Sequence, residues 1–120
     1  MTYQTMNKND IDQQLSMNPE MFFLMKKHLV DNNVFLNIEQ YQDIHTFGLN
    51  SCNGICDQDM EYVGKLKNLR QLYFCNVPFT GQCLKYFENT NSLTKLYFIF
   101  LQTTSITALS YFSCLKFPWN

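Results

Sequence analysis

Two cysteines and a histidine lie close enough together in the sequence to suggest a metal site. Cys52 and Cys56 are four residues apart, and His45 precedes them by seven residues. Thiolates and imidazoles are typical zinc ligands, and a structural zinc site takes four of them in a tetrahedron. No second Cys or His pair at ligand spacing completes such a set. We therefore expect no metal and no cofactor.

The same side chains offer little for catalysis. Pairing His45 with a cysteine nucleophile would need an oxyanion hole, and no glycine-rich loop is present to form one. No phosphate-binding glycine loop or pair of carboxylates appears either, and His28 falls on an apolar helical face as a core or rim residue. Asp57 and Asp59 are expected to be turn and cap residues, with Asp57 as the helix N-cap. The sequence thus predicts a protein that is not an enzyme.

Charge and hydropathy exclude two other classes of partner. The net charge is -1 and Arg70 is the single arginine, so no basic surface for nucleic acid is expected. The longest apolar run, Leu96 to Leu101, is too short to cross a membrane. The five cysteines are odd in number and no signal peptide precedes them, which predicts free thiols in an intracellular, cytoplasmic protein.

One short motif occurs twice and organises the chain. Residues 69–74 and 93–98 both have the form L-x-x-L-Y-F. Repetition at a period of roughly 20 to 30 residues indicates a repeat protein, in which each unit is too small to bury its own apolar face and stacked units share one core. Alternation within the motif predicts strands, with Leu72 and Phe74 on one face and Tyr73 on the other.

The remaining segments are assigned around these strands. Residues 1–16 are polar and without periodicity, which predicts a disordered leader. Residues 17–43 are predicted to be a helical cap, with a helix from Pro19 to about Val30 that starts at an Asn18 N-cap. Repeats are predicted over residues 44–120, in units of about 44–68, 69–92 and 93–114 with an incomplete unit at 115–120.

The first repeat carries the resemblance to a known family. Its residues match the pattern L-x-x-L-x-L-x-x-C-x-x-I-x-D, with Phe at one Leu position: Ile44, Phe47, Leu49, Cys52, Ile55 and Asp57. This resembles leucine-rich repeats, in particular the cysteine-containing subtype of F-box and related proteins. The resemblance implies an α/β fold, a short solenoid with parallel strands on one face and short helices on the other. It also implies a non-catalytic protein-protein interaction module.

In that family the open face of the parallel sheet is the usual binding face. Outward residues of the three strands would form three lateral rows across it: Thr46-Gln71-Lys95, Gly48-Tyr73-Tyr97 and Asn50-Cys75-Ile99. Tyr73 and Tyr97 would stand side by side at about the 4.8 Å spacing of neighbouring strands. Because tyrosine is enriched at binding hot spots, we expect these rows to contact a protein partner; the alternative is that both tyrosines simply tile the sheet.

Two further interpretations stay open. Met17 to Met25, followed by Leu29 and Asp31, resembles the first half of an F-box, which would imply a substrate-recruiting subunit that binds a Skp1-type adaptor of a ubiquitin ligase. The motif's second half is not visible in residues 34–43, and a capping helix is the other explanation. Alternatively the chain is a truncated repeat fragment without independent activity, which self-associates through an uncapped C-terminal end.

Overall fold

The computed structural model describes residues 4–24, 28–30 and 33–100, which form an α/β fold around a parallel sheet. The strands are β1 (Gln4–Met6), β2 (Met21–Leu24), β3 (His28–Val30), β4 (Thr46–Asn50), β5 (Cys52–Asn53), β6 (Gln71–Val77) and β7 (Lys95–Phe100). The α-helices are α1 (Lys8–Met17) and α2 (Met60–Val63), and three 3₁₀ helices span Ile38–Gln40, Asp57–Asp59 and Gln82–Phe87.

All strand pairs in these residues are parallel and follow the order of the chain. The larger sheet has the order β2-β4-β6-β7, and its strands begin at residues 21, 46, 71 and 95. A second sheet, β1-β3-β5, begins at residues 4, 28 and 52. Each step from one strand to its neighbour in a sheet therefore advances the chain by nearly the same length.

The core lies on the inward face of the larger sheet, where alternate side chains of each strand line up. One inward row is Phe22, Phe47, Leu72 and Leu96, and the next begins with Leu24, Leu49 and Phe74. All seven are at most 5% exposed. Burial of each such side chain contributes on the order of 2 kcal/mol, so the inward rows hold neighbouring strands in register.

Short helical segments close the core from the other side. Met60 and Val63 are buried on α2, and Leu84 and Phe87 are buried on the third 3₁₀ helix, each pair at three-residue spacing on one helical face. Consecutive turns approach closely here, since a Cβ at Gly64 would lie 2.3 Å from the carbonyl oxygen of Tyr86. A side chain is therefore excluded at this position. The corresponding segment of the third predicted repeat lies outside the described residues.

The predicted helix from Pro19 to Val30 is wrong. Residues 21–24 and 28–30 are strands β2 and β3, and Met21 to Leu24 pair in parallel register with Thr46 to Leu49. An apolar run of this length fits a strand or a helix equally well, and the open edge of β4 decides in favour of the strand. Asn18 ends α1 instead of starting a helix, and its N–H donates to the Gln14 carbonyl. Pro19 follows that C-cap, where proline is common.

The predicted disorder of residues 1–16 is also wrong for the described part of that segment. Helix α1 starts at an Asn7 N-cap that forms a capping box with Asp10, and its Ile11 and Leu15 are buried at i, i+4 spacing. The Gln14 side chain accepts a hydrogen bond of 3.2 Å from the Phe23 N–H on the edge strand β2. The helix thus covers an edge that would otherwise be open to pairing with another chain.

Candidate functional site

The outward face of the larger sheet carries the residues that the sequence predicted as binding residues. Strand register places Thr46 opposite Gln71 and Gln71 opposite Lys95, and the same register forms the other two rows, Gly48-Tyr73-Tyr97 and Asn50-Cys75-Ile99. The predicted rows are therefore confirmed as neighbours across β4, β6 and β7. Their role in binding stays a prediction.

The middle row is longer and more aromatic than predicted. The register adds Phe23 of β2 beside Gly48. The Phe23 and Tyr73 ring centroids are 5.8 Å apart, and those of Tyr73 and Tyr97 are 6.2 Å apart. Both distances lie in the range of favourable tilted aromatic contacts. We call Phe23, Tyr73 and Tyr97 the aromatic row.

Gly48 makes the aromatic row continuous. A Cβ on Gly48 would lie 2.3 Å from Cε1 and 2.4 Å from Cδ1 of Phe23, so the ring occupies the space that any other residue would fill. The Phe23 ring therefore lies over β4 and reaches Tyr73, which stands two strands away from β2. Glycine at this position is what lets the ring pack against the backbone of β4.

A small apolar cavity of about 190 Å³ opens beside the aromatic row. It is lined by Phe23, Leu49, Asn50, Tyr73, Cys75 and Tyr97. Tyr97 is 54% exposed, whereas Phe23 and Tyr73 are half-buried. The Tyr73 hydroxyl donates to Gln71 Oε1 at 2.9 Å, which fixes the ring at the cavity wall. The cavity has the size of one aliphatic or aromatic side chain.

A hydrogen-bonded chain orients the polar wall of this cavity. Asn76 Nδ2 donates to Ser51 Oγ at 3.1 Å, and Ser51 Oγ donates to Asn50 Oδ1 at 2.9 Å. Ser51, which follows β4, and Asn76, which lies at the register shift within β6, both have positive φ, of 62° and 54°. Since Asn50 Oδ1 is already an acceptor, the amide Nδ2 is the atom of Asn50 that can donate to a ligand.

Charges are distributed unevenly across the start of the strands. Glu20 Oε2 lies 3.5 Å from His45 Nε2 at the β2 and β4 side. Arg70 and Lys95 are exposed at the β6 and β7 side, and within the described residues neither forms an ion pair. This side of the outward face is therefore positive.

The cysteines and His45 do not form a metal or catalytic site in the described part of the chain. His45 Nδ1 lies 2.9 Å from Thr46 Oγ1, and no described contact joins His45 to a cysteine. Burial raises the pKa of Cys52 to about 11, which keeps this thiol protonated and unreactive at neutral pH. Among the residues described, no three His, Cys, Asp or Glu side chains come together as metal ligands. His28 lies on β3, and its side chain is outside the described set.

The prediction of Asp57 as an N-cap is corrected in one respect. Cys56 is the N-cap of the second 3₁₀ helix, and its N–H donates to Asp59 Oδ2 at 2.8 Å. The Asp57 carboxylate instead accepts from residues after β6, at 3.0 Å from Thr80 N and 2.7 Å from Cys83 N. It therefore caps the start of the third 3₁₀ helix. Local sequence spacing could not show this contact, because the partners are 23 and 26 residues away along the chain.

Phe23 is the site residue that the sequence reasoning missed. It precedes Gly48 by the same step along the chain by which Gly48 precedes Tyr73. Extending the repeat period by one unit towards the N-terminus would have found it.

Comparison with protein-family models, with curated proteins and with solved structures gives no match for this chain. Within the described residues, no helix has the length and apolar character needed to span a membrane. The arguments on function therefore depend on the geometry of the outward face.

Proposed function

We propose that this chain is a non-catalytic protein-binding module of leucine-rich-repeat type, a short solenoid that binds its partner on the outward face of the β2-β4-β6-β7 sheet. The nearly constant step between paired strands, which begin at residues 21, 46, 71 and 95, supports the repeat architecture. So does a repeated hydrogen-bond pattern, in which the carbonyls of Glu20, His45 and Arg70 each accept two amides from the next unit. Each unit thus adds one turn to the same stack.

The aromatic row is the observation that carries the binding proposal. Inward aromatic residues such as Phe22 and Phe47 are fully buried, whereas Tyr97 is more than half exposed. Holding three adjacent rings on the solvent side of a sheet leaves apolar area in water without a gain in core packing. Tyrosine in such a position supplies rigid contact area and a hydroxyl group at low entropic cost, as at binding hot spots.

The experiment that tests this proposal compares partner capture by the wild type and by a Tyr97→Ala variant. The full chain serves as bait in a proximity or affinity screen, and each recovered protein is then purified and titrated against both forms. We expect the substitution to weaken binding at least tenfold, the loss typical of a hot-spot tyrosine. Thermal unfolding of Tyr97→Ala should stay close to that of the wild type, because its ring is more exposed than buried.

Tyr62→Ala is the matched control. Tyr62 is a half-buried tyrosine on α2, on the helical side of the core, and its ring is under the Lys65 ammonium at 5.8 Å. Its removal should leave partner affinity unchanged. Equal loss of binding in both variants, or loss only in Tyr62→Ala, would contradict the assignment of the binding face to the outward sheet.

The F-box alternative no longer has the helix on which it was based, because residues 21–24 form β2. Binding to a Skp1-type adaptor stays a prediction from the sequence resemblance alone. A pull-down with the purified adaptor and the folded chain tests it, and a result without binding removes it. The predicted self-association through the C-terminal end lies outside the described residues, as do the repeat positions after residue 100.

A further inference from the structure

We propose that the partner presents an extended acidic segment to this face, with one apolar side chain inserted beside the aromatic row and one carboxylate two residues away against Lys95. This inference rests on the proposed function, since it names the class of ligand for the same surface. Three features of the outward face define the segment: the cavity, the free amide donor of Asn50 and the unpaired cations at the start of β6 and β7.

The cavity selects an apolar anchor. Its volume of about 190 Å³ is large enough for one Leu, Met or Phe side chain, and its mostly apolar lining includes Phe23, Tyr73 and Tyr97. Inserting such a side chain removes the exposed Tyr97 ring and the anchor from water together, and this burial of apolar surface favours binding. A charged side chain would lose its hydration there without gaining an ionic partner.

The Asn50 amide selects an extended backbone. Asn50 lines the cavity and its Oδ1 accepts from Ser51, which leaves Nδ2 as the atom that donates to a carbonyl of the bound segment. In a helix the interior carbonyls are occupied by i→i+4 hydrogen bonds. An extended chain leaves a carbonyl free beside each side chain, and the Asn50 donor therefore favours the extended form.

Charge complementarity selects the acidic residue. Among the outward residues described on β2, β4, β6 and β7, Lys95 is the charged one. Arg70 lies next to it, since the Arg70 carbonyl accepts a hydrogen bond of 3.1 Å from Lys95 N. Glu20 directly precedes β2, which is three strands away from β7, or about 14 Å at the spacing of neighbouring strands. That distance exceeds the Debye length of about 8 Å at physiological salt, so Glu20 does not neutralise the cations.

The spacing between the acidic and the apolar side chain of the ligand follows from the geometry of β7. Lys95 and Tyr97 are two residues apart on β7 and on the same face, which separates them by about 6.6 Å. An extended ligand that lies over β6, between Asn50 of β4 and Lys95 of β7, and runs parallel to the strands has the same repeat, so its acidic and apolar side chains stand two positions apart. The expected motif is acid-x-apolar or apolar-x-acid, according to the direction of the bound segment.

A random-peptide display library panned on the immobilised full chain tests the inference. We expect enriched peptides to share an Asp or Glu two positions from a Leu, Met or Phe, and the enrichment to disappear on Tyr97→Ala. A synthetic peptide of the enriched sequence should bind Lys95→Glu about fivefold to tenfold more weakly than the wild type, the effect of reversing one exposed charge. Lys67→Glu, which changes an exposed lysine outside the outward rows, is the matched control and should leave affinity unchanged.

Three results would overturn the inference: no enriched motif, a motif with a basic or no charged residue, or equal affinity of the acidic peptide for wild type and Lys95→Glu. The proposed function fails separately. Peptides of another motif that still require Tyr97 would leave the binding face in place and remove only the acidic ligand. Captured partners and peptides that all bind Tyr97→Ala as tightly as the wild type would remove both.

Discussion

Gly48 gives the most direct test of the aromatic row, because a single methyl group there conflicts with the Phe23 ring. In Gly48→Ala the new Cβ would lie 2.3 Å from Phe23 Cε1. Gly48 lies in the extended backbone of β4, which alanine also adopts, so the conflict is with the ring and not with the main chain. The ring must swing away from Gly48 and lose its contact with Tyr73, whose centroid is 5.8 Å away.

The expected change in the free energy of unfolding follows from two costs and one opposing gain. Loss of the aromatic contact costs about 1 kcal/mol, and repacking the displaced ring costs about 1 kcal/mol, the low end for overpacking, because Phe23 is only half-buried. Replacing glycine by alanine in extended backbone offsets about 0.4 to 1 kcal/mol by restricting the unfolded chain. We therefore expect Gly48→Ala to lower the free energy of unfolding by about 1.5 kcal/mol. At a urea dependence of about 1.5 kcal/mol per molar, the midpoint falls by about 1 M.

A double-mutant cycle with Phe23→Ala isolates the contact. When the ring is absent, the alanine methyl has space, and Gly48→Ala should become neutral or stabilising by about 0.5 kcal/mol. The coupling between the two positions is then about 2 kcal/mol, measured from urea midpoints of the four proteins at constant m-value. If Gly48→Ala destabilises the chain equally with and without Phe23, the ring does not lie over Gly48 and the continuous aromatic row is refuted.

The remaining predictions concern contacts between successive units and the state of the thiols. Asp57→Ala should lower the free energy of unfolding by about 2 kcal/mol, because two backbone amides of the third 3₁₀ helix region lose a charged acceptor; a change below about 0.5 kcal/mol in urea unfolding would contradict this. Gly64→Ala should cost at least as much as Gly48→Ala, since its Cβ meets the backbone carbonyl of Tyr86, which cannot swing aside; a midpoint within about 0.2 M of the wild type would refute the close approach. Because burial raises the folded-state pKa of Cys52 to about 11, the folded chain keeps a proton that the unfolded chain releases near pH 9. Stability from this thiol is complete below pH 9 and is lost as the pH rises from 9 to 11, and a urea midpoint that stays constant over that range in the wild type would contradict the shift. At pH 8, native-state alkylation should modify the half-buried Cys75 well before Cys52, as measured by mass spectrometry of the digested protein.

Strands β6 and β7 could be predicted because the same sequence motif occurs in both of them. Two copies of L-x-x-L-Y-F, at residues 69–74 and 93–98, place leucine and phenylalanine at alternate positions twice. If those side chains are to share a core, the copies must stack in register, since a shift of one residue would turn every apolar side chain to water. The lateral rows on the outward face follow from the same register.

Strand β2 could not be predicted from a copy of the motif, because the segment carries none, and only the 25-residue step back from Gly48 points to it. Residues 17–25 combine an Asn-Pro-Glu start with an apolar run, and this combination is as typical of a helix start as of a helix end followed by a short strand. The edge of β4 supplies hydrogen-bonding partners for Met21 to Leu24, and α1 occupies the place on the chain where a leader was expected. Long-range pairing outweighed the local helical signal.

The repeat register, and with it the position of Tyr73 beside Tyr97, was determined by the sequence alone, because side-chain alternation and a fixed period admit one in-register stack. The tertiary structure decided what that stack presents to a partner. It brought Phe23 over Gly48, oriented Asn50 through Ser51, and left Lys95 without a counter-ion among the described residues. The contact of Phe23 with Gly48, and the hydrogen bond by which Asn76 holds Ser51, join residues 25 positions apart, and no local pattern specifies them. They depend on which side chains the completed sheet brings within reach of each other.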